Sequence, residues 1–503
     1  MRTSHIPRYA DTVVIGGGTA GAAVAGLLAE RDDRSVLLLE AGPDYGHLRE
    51  GRWPGDLLDG RVLASTHDWT FTSAAANGQP NHELQRAKVI GGCSAHNGCI
   101  AIWGSRADYD GWASAGNDGW STAEVIPYFE RAMARLRARE YAPDEVTPFH
   151  GACLDAMLAT GIPRTANLND LDEDVGAALA PVNNHEGIRW STALAYLDPV
   201  RAQSNFTIVG DALVEKINLR GSQAVSVSFI RDGQEATVAA GRIFLCAGAY
   251  GSPIVLLRSG IGPADELASL GIPVWLDLPG VGRNLHDHPG VTMTHHGTEL
   301  FTSLMDDFIA TGKTVFTEQS LAKARSKHCD AAFDLHIAPL TAPAPDADGR
   351  WECKLYVALM APQSRGRLTL RDGNPQRNPV IDTGYFTDPG DHDLAVLLDG
   401  IALTREVARQ QPFAELIGQE LDETAGMLTA EDLRRNSLHY FHPAGACKMG
   451  PASDPDAVVD PMGRVHGLEG LHVVDASIMP TVPRANTNLP TLMAAERIAA
   501  MLT

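Results

Sequence analysis

Aromatic residues make up only 6% of this 503-residue chain, and cations are outnumbered, with 41 Lys and Arg against 62 Asp and Glu. The net charge of −21 excludes nucleic acid as a partner, because a phosphate backbone demands a basic face. The one Arg-rich piece, RAMARLRARE (131–140), has helical spacing and no interleaved aromatics, which predicts a solvated helix face. No apolar run approaches the roughly 20 residues of a membrane span, and the opening MRTSHIPRYAD holds no apolar core of a secretory signal. Cys93, Cys99, Cys153, Cys246, Cys329, Cys353 and Cys447 form no CxxC pair and are odd in number, so buried thiols in a reduced, cytoplasmic protein are expected. There is no GxSxG, hence no hydrolase nucleophile elbow, and no HExxH. Internal repeats are absent too. What remains is a globular chain, 44% hydrophobic and long enough for two domains.

Several segments carry chemistry. VVIG (13–16) reads as a strand, followed by Gly16, Gly18 and Gly21 in GxGxxG spacing, a helical run AAVAGLLAER, and a second apolar run VLLLE ending at Glu40. That order predicts a tight strand-to-helix turn presenting backbone N–H groups to a pyrophosphate, with Glu40 on ribose hydroxyls. Further strands are expected at FTIV (206–209), VSVSFI (225–230), RIFLCAGA (242–249) and LHVVDA (471–476), the last two central ones covered on both faces. TAPAPDADGR (341–350) reads as a surface loop, and a final helix is expected from about Pro490 to Leu502.

Between Arg86 and Trp112 stands RAKVIGGCSAHNGCIAIWGSRADYDGW, in which Gly91 and Gly92 allow backbone to approach something flat or anionic. Together with GGGTAG, GAYGSPIVLLRSGIG (248–262), LPGVGRNLHDHP (278–289), HPAGACKMG and VVDASIMPTVPRANTNLPTLM, it resembles the glucose–methanol–choline (GMC) family of FAD-dependent oxidoreductases, nearest the choline oxidase and hydroxymethylfurfural oxidase-like branches. The resemblance covers nearly the whole chain. It implies an α/β fold within an α+β whole: a Rossmann-like FAD-binding domain (1–150, 188–289 and 440–503) and a discontinuous substrate domain (151–187 and 290–439) with an antiparallel sheet and helices. By the same resemblance FAD is held by Gly16, Gly18, Thr19, Ala20, Gly21, Glu40, Ala41, Gly91, Gly92, Ser94, His96, Asn97 and Gly98, with Val214 beside adenine and Asp475 and Asn488 near the ribityl and pyrimidine ends. His96 matches the histidine that bonds covalently to the flavin in some relatives; an unlinked His packing beside the ring is the alternative. Cys93 and Cys99 read as packing residues. A homodimer is left open.

His442 falls at the family's active-site histidine and Asn486 at its partner, which is His in some members and Asn in others. The residue types suit the chemistry. A hydroxyl about as weakly acidic as water lies roughly nine pKa units above a histidine, on the order of 12 kcal/mol, so the alkoxide must be stabilised as hydride leaves the carbon. Asn486 donates through its amide without competing for the proton. The implied reaction is oxidation of a primary alcohol to an aldehyde, with O2 reoxidising the flavin. A dehydrogenase passing electrons to a quinone or protein acceptor, or a hydroxynitrile-lyase-like enzyme, is the alternative. His336, Tyr440, Phe441 and Trp103 are candidate pocket residues. His286, Asp287, His288, His295 and His296 suggest a metal cluster but lack established ligand spacing, so no metal is expected. Choline-oxidising relatives carry a carboxylate directly after DHP; here that position is Gly290, which argues against choline and for an alcohol of modest size, benzylic, furanic or otherwise polar.

Overall fold

The computed structural model describes residues 6–31, 34–76, 78–343, 351–426 and 429–502. Its first sheet grows from the expected apolar runs. Strand Tyr9–Ile15 pairs in parallel with Val36–Leu39 on one side and Gln234–Leu245 on the other. Parallel strands need a crossover, and helix Thr19–Arg31 supplies it, burying Ala20 to Ala29 without a break. Its small side chains let it lie close; a Cβ on Gly26 would meet the Tyr196 carbonyl oxygen at 2.4 Å. Phe206–Val209 extends the parallel edge beyond Val36–Leu39. Toward the other side, Gln223–Arg231 and Ala212–Arg220 continue as an antiparallel arm.

Two expectations shift here. The strand at RIFLCAGA ends at Leu245, because Gly248 turns to φ +85° and starts helix Gly248–Arg258. LHVVDA forms only the short strand Leu471–Val473, paired to Gln234–Leu245 alone. It is an edge strand in pairing, yet fully buried, because the 463–465 loop covers it through Val465 N–H to Leu471 O (3.1 Å) and Val473 N–H to Gly463 O (2.8 Å). A continuous apolar run reports burial, not rank within a sheet.

The second sheet has six antiparallel strands in the order Leu438–His439, Pro289–His296, Trp351–Leu359, Leu335–Pro343, Ser320–Ala324 and Gly176–Leu179. Side chains alternate between its faces. Leu335, Ile337, Leu355 and Val357 pack against helices Pro148–Ala159 and His392–Ala408. Tyr356, Ala358 and Ala338 look the other way, onto Ile100, Ile102 and Tyr440. That second face meets the segment following Gly91–Gly92, so the site lies between the two sheets.

The last helix runs Asn488–Met501, two residues earlier than expected at its start, and is buried along nearly its whole length against helices Thr19–Arg31 and Thr122–Arg135. The Arg-rich piece ends the latter helix, but it is not merely solvated. Arg135 forks onto Glu30 (2.7 and 2.9 Å) and approaches buried Glu496 at 3.7 Å. Thr341–Pro343 closes a strand, and residues 344–350 of the expected loop lie outside the described residues. Among the described residues no helix is long and apolar enough to cross a membrane, and all seven cysteines are free, five of them buried.

Candidate active site

Gly16 sits at φ +90°, and a Cβ there would lie 2.6 Å from the Cys246 carbonyl oxygen. On Gly92 (φ +53°) a Cβ would come within 2.6 Å of Gly18 Cα, while Gly91 N–H donates to Gly17 O at 2.7 Å. The two glycine-rich segments therefore touch backbone to backbone, which only residues without side chains permit. Gly21 packs the helix onto the same turn. Glu40 ties it off: one carboxylate oxygen accepts Gly17 N–H (2.7 Å), the other Gly42 N–H (2.8 Å). Burial pushes the Glu40 carboxyl up, and these two donors oppose the rise. Each oxygen keeps a lone pair for a ribose hydroxyl. Ala20 is buried and Ala41 half-buried beside this turn. Thr19 Oγ1 donates to Asn488 Oδ1 (3.3 Å), leaving Asn488 Nδ2 buried with no partner among the described residues. Val214 stands opposite Phe229 on the strand whose Ala212 N–H meets Glu40 O at 2.8 Å. Asp475 accepts from Ser477 N–H (2.8 Å), Gly248 N–H (2.9 Å) and the Ser252 hydroxyl (2.5 Å), pinning the start of helix Gly248–Arg258.

Gly92–Ala95 is one short 3-10 turn. Ser94 is spent inside it, its hydroxyl donating to Gly91 O (2.6 Å) and accepting Thr192 N–H (3.0 Å). Buried Arg189 clamps the segment that follows, donating to the carbonyls of Ala95 (2.8 Å), Asn97 (2.8 Å), Leu57 (2.9 Å) and Asp59 (2.8 Å). Between these anchors His96 turns a buried Nε2 to no partner among the described residues. Burial, helped by the Arg189 charge, lowers its pKa to about 4. Asn97 Oδ1 accepts Cys99 N–H (3.1 Å). The Cys99 thiol is pushed up to about 11 by burial, which suits packing and not nucleophilic attack. A cradle closed to side chains, with orphaned buried polar atoms on Asn488 and His96, fits a dinucleotide cofactor such as FAD.

The histidine pocket joins three distant segments. His442 Nε2 lies 3.3 Å from Asn486 Nδ2, and His442 Nδ1 lies 3.0 Å from His288 Nδ1. An amide nitrogen only donates, so Nε2 is the bare nitrogen of His442, Nδ1 carries its proton, and His288 Nδ1 accepts. Asp287 Oδ1 fixes both histidines through their backbones, accepting His288 N–H (2.7 Å) and His442 N–H (2.9 Å). Burial first, then the neighbouring His288, Arg86, His336 and His439, holds His442 well below its usual pKa. His288 falls to about 3 for the same leading reason, and buried Asp287 rises to about 6 against the pull of Arg86.

Tyr440 packs on His442 with ring centroids 4.5 Å apart, and His336 meets Tyr440 edge-on at 6.4 Å with both ring nitrogens orphaned. These two candidates join the pocket. Phe441 sits at φ +63°, 43% exposed, its ring against His439 at 4.3 Å. Trp103 stacks on Phe129 (4.9 Å), its ring contact with the cofactor-side core and not with the histidines. Asp287, His288 and His442 have donor atoms within 4.8 Å of one another; the two histidines bond to each other through Nδ1 and Asp287 Oδ1 takes two backbone N–H groups, while Asp287 Oδ2 and His288 Nε2 have no partner among the described residues. His286 points elsewhere, accepting Val482 N–H at Nε2 (2.6 Å) and donating to Asn284 O (2.6 Å). Sequence reasoning missed His288, Asp287 and Arg86 as site residues. The DHP at the mouth of strand Pro289–His296 was the available signal.

Known proteins match this chain over nearly its whole length. The GMC oxidoreductase family model matches residues 10–290, and a second GMC oxidoreductase model matches residues 362–495. The oxygen-dependent choline dehydrogenase of Paraburkholderia xenovorans is 35% identical, the match covering 97% of this chain and 93% of that one. Human mitochondrial choline dehydrogenase is 34% identical over 97% of this chain and 88% of its own. Pyridoxine 4-oxidase from Mesorbium loti superposes with a TM-score of 0.86 at 28% identity, covering 98% of this chain and 99% of the other.

Proposed function

The chain belongs to the GMC oxidoreductase family, and on that premise we propose that it oxidises a primary alcohol of modest size to an aldehyde, with His442 as the base and dioxygen as the final electron acceptor. Members of the family are FAD-dependent enzymes, and this chain is an oxidoreductase acting on CH–OH donors. The observation that carries the finer reading is the 3.3 Å pairing of His442 Nε2 with Asn486 Nδ2, backed by the His288 bond at Nδ1.

The pocket residues divide the work. Bare Nε2, released from the Asn486 amide as substrate enters, accepts the hydroxyl proton. Asn486 has a second amide hydrogen for the substrate oxygen, where negative charge builds. His288 holds the ring so that the same nitrogen always faces the pocket. The depressed pKa keeps His442 unprotonated at neutral pH, ready to accept. FAD held in the glycine cradle would supply the hydride acceptor for the carbinol carbon. Residues 1–150, 188–289 and 440–503 are assigned to holding FAD, and 151–187 with 290–439 to shaping the substrate side. Attachment of FAD through His96 is part of the same proposal.

Choline is disfavoured as substrate. At Gly290 a Cβ would lie 2.5 Å from the Tyr356 hydroxyl oxygen, so the ring of Tyr356 occupies the place where a carboxylate side chain would start. The test is anaerobic mixing of the flavin-loaded enzyme with a series of primary alcohols, followed by admission of air. Bleaching of the flavin absorbance and its rapid return in air are expected. Bleaching that returns only with a quinone would replace dioxygen as acceptor, and a flavin that no alcohol bleaches would overturn the reading in favour of a lyase.

A further inference from the structure

Asp287, His288 and His442 meet on two chain segments that are laced together. His286 N–H donates to Ala444 O (3.1 Å), Ala444 N–H to His286 O (2.9 Å) and Tyr440 N–H to His288 O (3.0 Å), so neither segment slides past the other. A carboxylate oxygen of Asp287 and one ring nitrogen from each histidine lie within 4.8 Å of one another, and all three residues are buried. The two rings face each other Nδ1 to Nδ1 at 3.0 Å, with centroids 5.2 Å apart and planes at 80°. A single proton bridges that gap. Asp287 Oδ2 and Asn486 Oδ1 are buried with no partner among the described residues. Buried polar atoms are rarely left so, and each invites a partner the protein itself does not supply. Two imidazoles and a carboxylate make a zinc donor set. On a tetrahedral ion with Zn–N bonds of about 2.0–2.1 Å, two imidazole nitrogens stand about 3.3 Å apart and their ring centres about 5.2 Å. The histidines can therefore admit an ion by tilting, with their centres where they already are.

We propose that Asp287, His288 and His442 form an inhibitory site for Zn2+, in which the ion takes the place of the proton between the two Nδ1 atoms. The binding of metal stands apart from the choice of substrate; that zinc silences the enzyme rests on the reading of His442 as the base. Without metal, His288 carries its proton on Nε2 and His442 carries its own on Nδ1. Zinc takes the Nδ1 lone pairs of both rings and one from Asp287 Oδ2, whose negative charge offsets part of the ion's. The His442 proton moves to Nε2, and none is gained or lost. That nitrogen now donates. It faces the Asn486 amide nitrogen at 3.3 Å, two donors opposed, and a turn of the amide brings the idle Oδ1 round to accept. The base is then spent, although the ion sits on the Nδ1 side of the ring and leaves the Nε2 side open. Zinc is expected to lower the rate at saturating alcohol and to leave the half-saturating concentration unchanged.

The flavin-loaded enzyme is titrated with Zn2+ against a chromophoric chelator, and Co2+ loading is read from its tetrahedral bands to the red of the flavin. Wild type is expected to take up one ion per chain. H288Q and D287N should each bind it at least about tenfold more weakly. H392Q, which breaks the His328–His392 pair (6.3 Å) outside the pocket, should bind as wild type does. The flavin absorbance of each variant reports that its fold is kept. With an alcohol that reduces the wild-type flavin, saturating Zn2+ should slow anaerobic reduction by about 10²–10⁴-fold, and EDTA should restore it. The proposal is overturned if wild type binds no zinc, if H288Q and D287N bind as tightly as wild type, or if H392Q alone abolishes binding. Zinc held through His288 and Asp287 that leaves flavin reduction untouched would overturn the inhibitory role, and the assignment of His442 as base with it. If no alcohol reduces the flavin, the alcohol-oxidation reading fails, while the metal titration still decides whether the site exists.

Discussion

At His442 burial and hydrogen bonding act on the same nitrogen. Desolvation disfavours the imidazolium, so the ring stays neutral, and the Asn486 amide facing Nε2 marks that nitrogen as the bare one, leaving Nδ1 to donate to His288. The same logic applies at His96, whose pKa of about 4 leaves its ring neutral and nucleophilic at pH 7, with Nε2 buried and unengaged. The proposed linkage makes a direct prediction. Acid precipitation of the wild-type holoenzyme should carry the yellow colour down with the polypeptide, and His96→Ala should release it to the supernatant. A colourless wild-type precipitate would refute the linkage. His442 and Asn486, the proposed catalytic pair, could be singled out in the sequence because HPAG and NTN are local patterns, and the structure brings them to 3.3 Å of each other. His288 was legible only as part of an apparent metal cluster, since its role depends on a contact with His442 across 154 positions of chain.

Among the elements, the parallel strands could be read from their apolar runs, and the turn after Tyr9–Ile15 from its glycines. The edge position of Leu471–Val473 could not, because hydrophobicity encodes burial and that strand is covered by a loop. Nor could the fate of Trp103, drawn onto Phe129 of helix Thr122–Arg135 by an aromatic stack. The contact between Gly92 and Gly18 gives the sharpest prediction at this scale. Gly92→Ala combines a positive φ, strained by about 1 kcal/mol or more for a residue with a side chain, with a Cβ only 2.6 Å from Gly18 Cα. The two segments must separate, so the variant is expected to purify with less than about a tenth of the wild-type flavin while keeping its far-ultraviolet circular dichroism. Full flavin occupancy would show that the backbone-to-backbone contact does not shape the cofactor cradle.

The molecule as a whole brings together parts that are remote in the chain. Arg484 shows how: its N–H donates to Asp108 (2.9 Å), its guanidinium pairs with the same carboxylate, and its Nε reaches Phe333 O (2.6 Å), so cofactor side, substrate sheet and C-terminal segment meet two residues before Asn486. Buried pairing of this kind fixes geometry more than it adds stability. Asn486 is thereby delivered to His442, and both to the face of the sheet that carries His336 and Tyr356.

The most direct measurement compares anaerobic flavin reduction by a good alcohol substrate in wild type and His442→Ala, both fully loaded with flavin. Loss of a positioned base should slow reduction by about 10²–10⁴-fold while leaving the flavin bound. Reduction of the His442→Ala flavin at the wild-type rate would contradict the account.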